Sequence, residues 1–199
     1  MTAPLILAST SKVRRRLLDA AGVTIETVPP RVDEETVRLA LEAEGAGPRD
    51  VADALAEMKA RRIGEKRPDA VVLGCDQVLD LDGTVLGKPA SRDAARAQLL
   101  ALRGKRHRLL SAAVAYEDGG PVWRHVGVVH LTVRPFSDAF LDAYLDRNWP
   151  AVSDAAGAYH LEGEGVRLMS RVDGDYFSVL GLPLVELLSW LTLRGTLQA

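Results

Sequence analysis

Ala70–Cys75 reads AVVLGC, an unbroken apolar run of strand length. Successive strand residues point to opposite faces, so exposing either side of this run would put Val, Leu or Cys into water. Such a strand needs cover on both faces, which in a chain of 199 residues implies a sheet sandwiched between helices. The surrounding patterns supply them. Leu5–Ala8 is extended, and Lys12–Ala21 has Val13, Leu17, Leu18 and Ala21 at helical spacing before Gly22. Val23–Pro30 alternates as a second short strand and Val32–Pro48 is helical. Asp50 caps a further helix whose buried stripe is Val51, Leu55 and Met58.

Beyond the apolar run, Val78–Pro89 carries Asp82-Gly83, a hairpin signal, and Ser91 caps a helix that Gly104 follows. The second half is richer in strands. Arg106–Val133 reads as two strands joined at Asp118-Gly119-Gly120, and Ser137 caps a helix followed by Pro150. The glycine-punctuated residues 157–181 read as short strands lining a cleft, and a last helix starts near Pro183. The expectation is one α/β domain over residues 1–199, a mixed sheet with helices packed on it.

Composition removes several function classes. With 47% hydrophobic and 26% charged residues, the chain has the balance of a soluble globular domain. Its formal net charge of −2 offers no general nucleic-acid surface, so any anion site must be built locally. Cys75, the single cysteine, precludes an internal disulfide. No apolar run is long enough to cross a bilayer, and Met1–Pro4 lacks the start of a signal peptide. A cytoplasmic location without membrane or nucleic-acid partners is expected. His107, His125, His130 and His160 show no zinc spacing, and neither a Walker A loop nor a G-x-S-x-G elbow is present.

Three places can carry chemistry. Ser9, Thr10 and Ser11 lead into a helix whose first turns hold Lys12, Arg14, Arg15 and Arg16, although a helix start prefers acids. Hydroxyls, free N–H groups and one or two arginines there would make an anion pocket; the plain alternative is a solvated basic face, preferred for Arg16. Asp76 sits where the apolar run stops, read as the strand's end. A carboxylate there can hold Mg²⁺ or Mn²⁺ and take a proton from water, or be a simple turn residue. Lys88 follows the hairpin and could reach a phosphate. Asp33 and Glu34 open a helix, where dipole capping is the ordinary role and metal ligation the alternative. Lys59 in LAEMKARR has the surroundings of a surface lysine, and Cys75 those of a core residue.

Together and in order, LILASTSKVRRRLL, VDE, LAEMKA, LGCDQVLDLDGTVLGKP, QLLALRGKRHRLLSAAV, GAYHLEGEG and VDGDYFSVLGLPLVELL resemble the Maf family of nucleoside triphosphate pyrophosphatases. The resemblance implies a mixed sheet with two lobes around a deep nucleotide-binding cleft, often as a homodimer. It implies hydrolysis of a nucleoside triphosphate to monophosphate and pyrophosphate with a divalent cation, Mg²⁺ or Mn²⁺, in clearing aberrant nucleotides. Some members are linked to arrest of cell division, so a nucleotide-binding regulator of septum formation that needs no turnover is the alternative; a phosphatase or kinase handling single phosphates is a further one. By motif position Ser9, Arg14 and Arg15 would hold phosphate, and Lys59 and Lys88 would contact phosphates. Glu34 and Asp76 would hold the metal, with Asp76 also the proton acceptor. Lys12 replaces the family's usual proline, and Val13 stands where members carry arginine or tryptophan. Gln77 and Glu162 match the subgroup resembling 7-methyl-GTP pyrophosphatases, so those three positions, Val13, Gln77 and Glu162, bear on the choice of base.

Overall fold

A computed structural model describes residues 3–198. Its strands are β1 (Leu5–Ala8), β2 (Glu26–Thr27), β3 (Val71–Leu81), β4 (Thr84–Leu86), β5 (Arg106–Glu117), β6 (Gly120–Val133) and β7 (Met169–Asp173). They form one open sheet in the order β2-β1-β3-β5-β6-β7, with β4 also paired to β3. β2, β1 and β3 run parallel, whereas β3, β5, β6 and β7 form an antiparallel meander. The helices are α1 (Lys12–Ala20), α2 (Glu34–Ala43), α3 (Pro48–Gly64), α4 (Arg92–Leu102), α5 (Asp138–Asn148), α6 (Tyr176–Val179) and α7 (Leu184–Leu193). Among the described residues no helix is long and apolar enough to cross a membrane.

β3 is covered on both sides, as its composition demands. Val78 packs with Val51, Leu55 and Ala56 of α3. On the other pleat Leu73 and Cys75 meet Leu18 of α1 and Leu187 of α7, and Leu79 and Leu81 meet α4 and α5 through Leu99 and Leu141. The hairpin falls at Asp82 and Gly83, with φ of 53° and 89°, the left-handed pair that a tight two-residue turn requires. Ser91 and Ser137 cap α4 and α5.

Several expectations are corrected. β3 does not end at Asp76 but runs on to Leu81, because the charges of Asp76 and Asp80 are matched by Lys59 and by Arg108 on β5. Val23–Pro30 contributes only the two-residue β2, whose Glu26 and Thr27 pair with Ile6 and Leu7 of β1. The helix expected to reach Pro48 ends at Ala43. Pro48 instead starts α3, so Asp50 lies inside its first turn and Gly47 occupies the cap. Met58 is only half-buried, whereas Val51 and Leu55 are core. Residues 157–181 contain one strand, β7, a 3₁₀ turn at Glu164–Leu168 and the short α6. Left-handed backbone at Gly157, Ala158, Gly174 and Gly181 prevents further strands there.

One consequence of the register shapes the site. On the edge of β3 away from β5, β1 pairs residues 71–74 and β4 pairs residues 79–81. Among the described residues no strand covers that edge between Cys75 and Val78, which leaves a gap between the end of β1 and the hairpin.

Elsewhere the core holds one titratable group that gives a pH prediction. His107 is buried with Nε2 2.7 Å from the Tyr159 hydroxyl, while Nδ1 has no partner among the described residues. Burial holds its pKa down at about 4, against 6.5 for a free imidazole. The unfolded chain therefore binds the proton first, and stability falls as pH drops from 6.5 towards 4, by on the order of 3 kcal/mol. In His107→Leu, chemical unfolding at stepped pH should show that part of the acid limb flattened.

Candidate active site

Gly74 determines how closely α3 lies on the sheet. A Cβ there would stand 2.1 Å from the Ala56 carbonyl oxygen and 2.6 Å from the Ala60 nitrogen, both backbone atoms of α3. Only glycine permits this approach, and it brings Lys59, the residue just before Ala60, over the uncovered edge. Lys59 is 4% exposed and Asp76 6% exposed. The Lys59 Nζ donates to Asp76 Oδ1 at 2.6 Å, lies 2.9 Å from Glu34 Oε1 and also reaches the Cys75 carbonyl at 3.5 Å. Gly74→Ala would force α3 away from β3. We expect a stability loss of about 3 kcal/mol and a parallel loss of activity, measured by chemical unfolding and turnover of the same preparation.

Glu34 reaches Lys59 because Asp33 does the capping. The Asp33 carboxylate accepts from the Thr36 N–H at 3.1 Å, so Glu34, the first residue of α2, is free to turn towards the sheet. Lys88 stands at the rim with its Nζ 3.9 Å from Glu34 Oε2. Burial pushes the Asp76 carboxyl above its ordinary range, against the opposing pull of the Lys59 ammonium and the more distant Arg14. Glu34 is also raised by burial, but Lys59, Lys88 and Arg14 together bring it net below the usual value.

From the other side of the same edge comes α1. Ser11 caps it, accepting from the Arg14 N–H at 3.3 Å, and the buried Ser9 hydroxyl accepts from the Ser11 N–H at 3.1 Å. The Arg14 side chain donates from Nη1 to the Cys75 carbonyl at 3.0 Å and from Nε to the Gly181 carbonyl at 2.7 Å, with Ser9 Oγ 3.5 Å from Nη1. Lys59 and Arg14 thus meet at the Cys75 carbonyl, next to Asp76. The geometry joins Ser9, Arg14, Glu34, Lys59, Asp76 and Lys88 into one cluster, three cations against two carboxylates, from parts of the chain up to 79 residues apart.

Arg15 and Arg16 stand outside that cluster. Arg15 pairs with Asp19 at 2.8 Å and donates to Thr27 Oγ1 at 2.9 Å, and both arginines line a hollow of about 540 Å³ beside α1. Val13 is half-buried on α1. Gln77, on the pleat opposite Asp76, donates its amide N–H groups to Ser111, Ser178 and Val179. Glu162 is exposed and makes no hydrogen bond or ion pair among the described residues. Missing from the sequence reading were Gly74, the Cys75 and Gly181 carbonyls and the burial of Lys59. Only the Ala52, Ala56, Ala60 spacing on α3, a small-residue stripe suited to close packing, hinted at any of them.

A model of the Maf family, described as Maf-like protein, matches residues 4–193. The chain belongs to the Maf family. Relatives of this Maf chain run its full length. It is 62% identical over 197 residues to the nucleoside triphosphate pyrophosphatase of Roseobacter denitrificans, covering 99% of both chains. It is 59% identical over 198 residues to that of Ruegeria pomeroyi, and 45% identical over 198 residues to the 7-methyl-GTP pyrophosphatase of Mesorhizobium japonicum, covering 100% of both chains in each case. In this Maf chain Ser9, Arg14, Glu34, Lys59, Asp76 and Lys88 gather at one gap in the sheet, while Arg15, Val13, Gln77 and Glu162 stand outside the cluster.

A metal can be tested against this cluster. Among the described residues no group of three His, Cys, Asp or Glu side chains is placed to hold an ion. Glu34 and Asp76 supply two carboxylates, and the Lys59 ammonium lies between them. Asp76 Oδ2 has no donor among the described residues, and Glu34 Oε2 has only the distant Lys88. Two carboxylates suit Mg²⁺, which commonly completes its shell with water and substrate phosphate. The residues present fit an ion that binds together with a phosphorylated substrate.

Proposed function

We propose that this chain hydrolyses a nucleoside triphosphate to its monophosphate and pyrophosphate. The observation that carries the reading is the buried Lys59 bridging Glu34 and Asp76 beside Arg14, in a chain whose full-length relatives are named for this reaction. In this reading Arg14, whose Nη2 has no acceptor among the described residues, receives phosphate oxygens together with Lys59 and Lys88. Ser9 adds a hydroxyl at the same end of β1. Asp76, raised by burial and retaining a free Oδ2, takes a proton from the attacking water. The water oxygen bonds to the α-phosphorus as the bond to the bridging oxygen breaks, and pyrophosphate leaves with that electron pair. Glu34 and Asp76 would hold Mg²⁺ or Mn²⁺, which when bound neutralises phosphate charge. The chain's own share is positioning and electrostatic complementarity, the main source of acceleration in phosphoryl transfer.

For the base, 7-methyl-GTP or another modified purine is the substrate we favour. The support is the match of Gln77 and Glu162 and the name of the Mesorhizobium relative; Val13 supplies no aromatic stacking surface. A homodimer in the cytoplasm completes the proposal; Arg15, engaged by Asp19 and Thr27, has no part in the phosphate site. The test is a panel of standard and base-modified triphosphates with Mg²⁺, Mn²⁺, Co²⁺ or chelator, scored for pyrophosphate and orthophosphate. Metal-dependent pyrophosphate release is expected, greatest with 7-methyl-GTP. Orthophosphate as the first product would overturn the reaction, and preference for dTTP or UTP would overturn the base.

A further inference from the structure

Gln77 follows Asp76 directly, yet its side chain leaves on the opposite pleat and its amide N–H groups are engaged there. Its Nε2 lies 2.9 Å from Ser111 Oγ, 3.1 Å from the Ser178 carbonyl and 2.9 Å from the Val179 carbonyl. Carbonyls only accept, so the amide's orientation is set by its neighbours. The Ser111 hydroxyl donates to the same Ser178 carbonyl at 2.6 Å and therefore accepts from Gln77. Both amide hydrogens are used, one on Ser111 and one shared between the two carbonyls. No donor remains with which to read a base, while Oε1 has no hydrogen bond among the described residues and stays open as an acceptor.

What Gln77 grips is the turn from Ser178 to Gly181. Gly127 on β6 lets this turn lie on the sheet, because a Cβ there would stand 2.4 Å from Ser178 Oγ. At the turn's far end Gly181 has φ +89°, and its missing side chain leaves the space that Arg14 uses. A Cβ would lie 3.1 Å from Arg14 Nη2 and 3.2 Å from Nε. The Gly181 carbonyl accepts from that Nε, while the Cys75 carbonyl, two residues before Gln77, accepts from Nη1. Two carbonyls fix the plane of the guanidinium, and one of them, Gly181, ends the turn whose Ser178 and Val179 carbonyls accept from Gln77.

We propose that Gln77 is a positioning residue for Arg14: it clamps the Ser178–Gly181 turn, whose last carbonyl seats the guanidinium that receives phosphate. This rests on the reading of Arg14 as a phosphate ligand and deepens it. It gives the Gln77 N–H groups a part in the strength of phosphate binding, whatever its open Oε1 contributes to the choice of base.

Inorganic tripolyphosphate has phosphates but no base, so it separates the two roles. Calorimetric titration with tripolyphosphate is made on the wild type, Gln77→Leu, Arg14→Ala and the double variant. Gln77→Leu is expected to weaken binding about tenfold, Arg14→Ala more, and the double variant no more than Arg14→Ala alone. A purely structural residue would keep its effect in the Arg14→Ala background. If Gln77→Leu does not fold, Ser111→Ala removes one link of the same clamp and should weaken binding about threefold, again only while Arg14 is present. Wild-type affinity in Gln77→Leu, or a loss that persists without Arg14, overturns the proposal. So does a change in the ranking of triphosphates with tripolyphosphate binding intact. Unchanged tripolyphosphate affinity in Arg14→Ala would instead sink the phosphate reading of Arg14 itself, whatever Gln77 does.

Discussion

Asp76→Asn should lower pyrophosphate release by about a thousandfold or more while the chain still binds nucleoside triphosphate. The amide keeps the shape of the carboxylate and can still accept from Lys59 through its oxygen. It cannot take a proton from water, and it removes one of the two acids suited to a metal. General-base assistance alone accounts for about 10² to 10⁴ in rate, and the lost negative charge adds to that. The effect should fall on kcat, since Arg14, Lys59 and Lys88 remain to hold the phosphates. Single-turnover release of pyrophosphate, beside calorimetric titration with the same triphosphate, separates these terms. Near-normal turnover would remove Asp76 from the chemistry. Lost binding with normal folding would make it a ligand first and a base second.

The parts of the architecture that local chemistry encodes were legible. β1, the Asp82-Gly83 hairpin, the caps at Ser91 and Ser137, and the long strands β5 and β6 follow from apolar patterning and turn residues. What could not be read was anything settled by a partner distant in the chain. Asp76 reads as a strand end because a charge in an apolar strand is costly, and that cost is offset chiefly by Lys59, seventeen residues earlier, with a smaller part from Arg14. Lys59 itself lies two and three residues before Arg61 and Arg62, in a segment that composition alone assigns to solvent. Its burial depends on Gly74, where the absence of a side chain has no visible signature in a single sequence. Gln77 is the same problem on the other pleat, since the carbonyls that consume its amide lie a hundred residues further on. The resemblance names six of the residues that meet there and also Arg15, which does not; the contacts that assemble the cluster have no signature in one sequence.

Lys59→Met is expected to cost about 3 to 5 kcal/mol of stability and to abolish measurable turnover. Methionine fills much the same volume, so packing survives and the loss reports charge. Asp76 would remain buried without its cation, and Glu34 would lose the group that holds its pKa down. The sign of the pH dependence follows. Burial already raises Asp76 in the folded state, and removing Lys59 raises it further. A carboxyl raised on folding stabilises least above its folded pKa, so this loss grows as pH rises from the unfolded value through the folded one. Glu34, lowered on folding in the wild type, contributes stability above its unfolded pKa that fades as pH falls through the folded one, and the variant forfeits it. Both shifts make the deficit greatest near neutrality and smaller in acid. Urea unfolding of wild type and Lys59→Met at stepped pH measures that deficit directly. Adding Asp76→Leu should recover most of the stability and none of the turnover, because a buried pair replaced by apolar groups leaves no orphaned charge. A deficit independent of pH, or no recovery in the double variant, would show that Lys59 serves packing and that its bridge to Glu34 and Asp76 carries little energy.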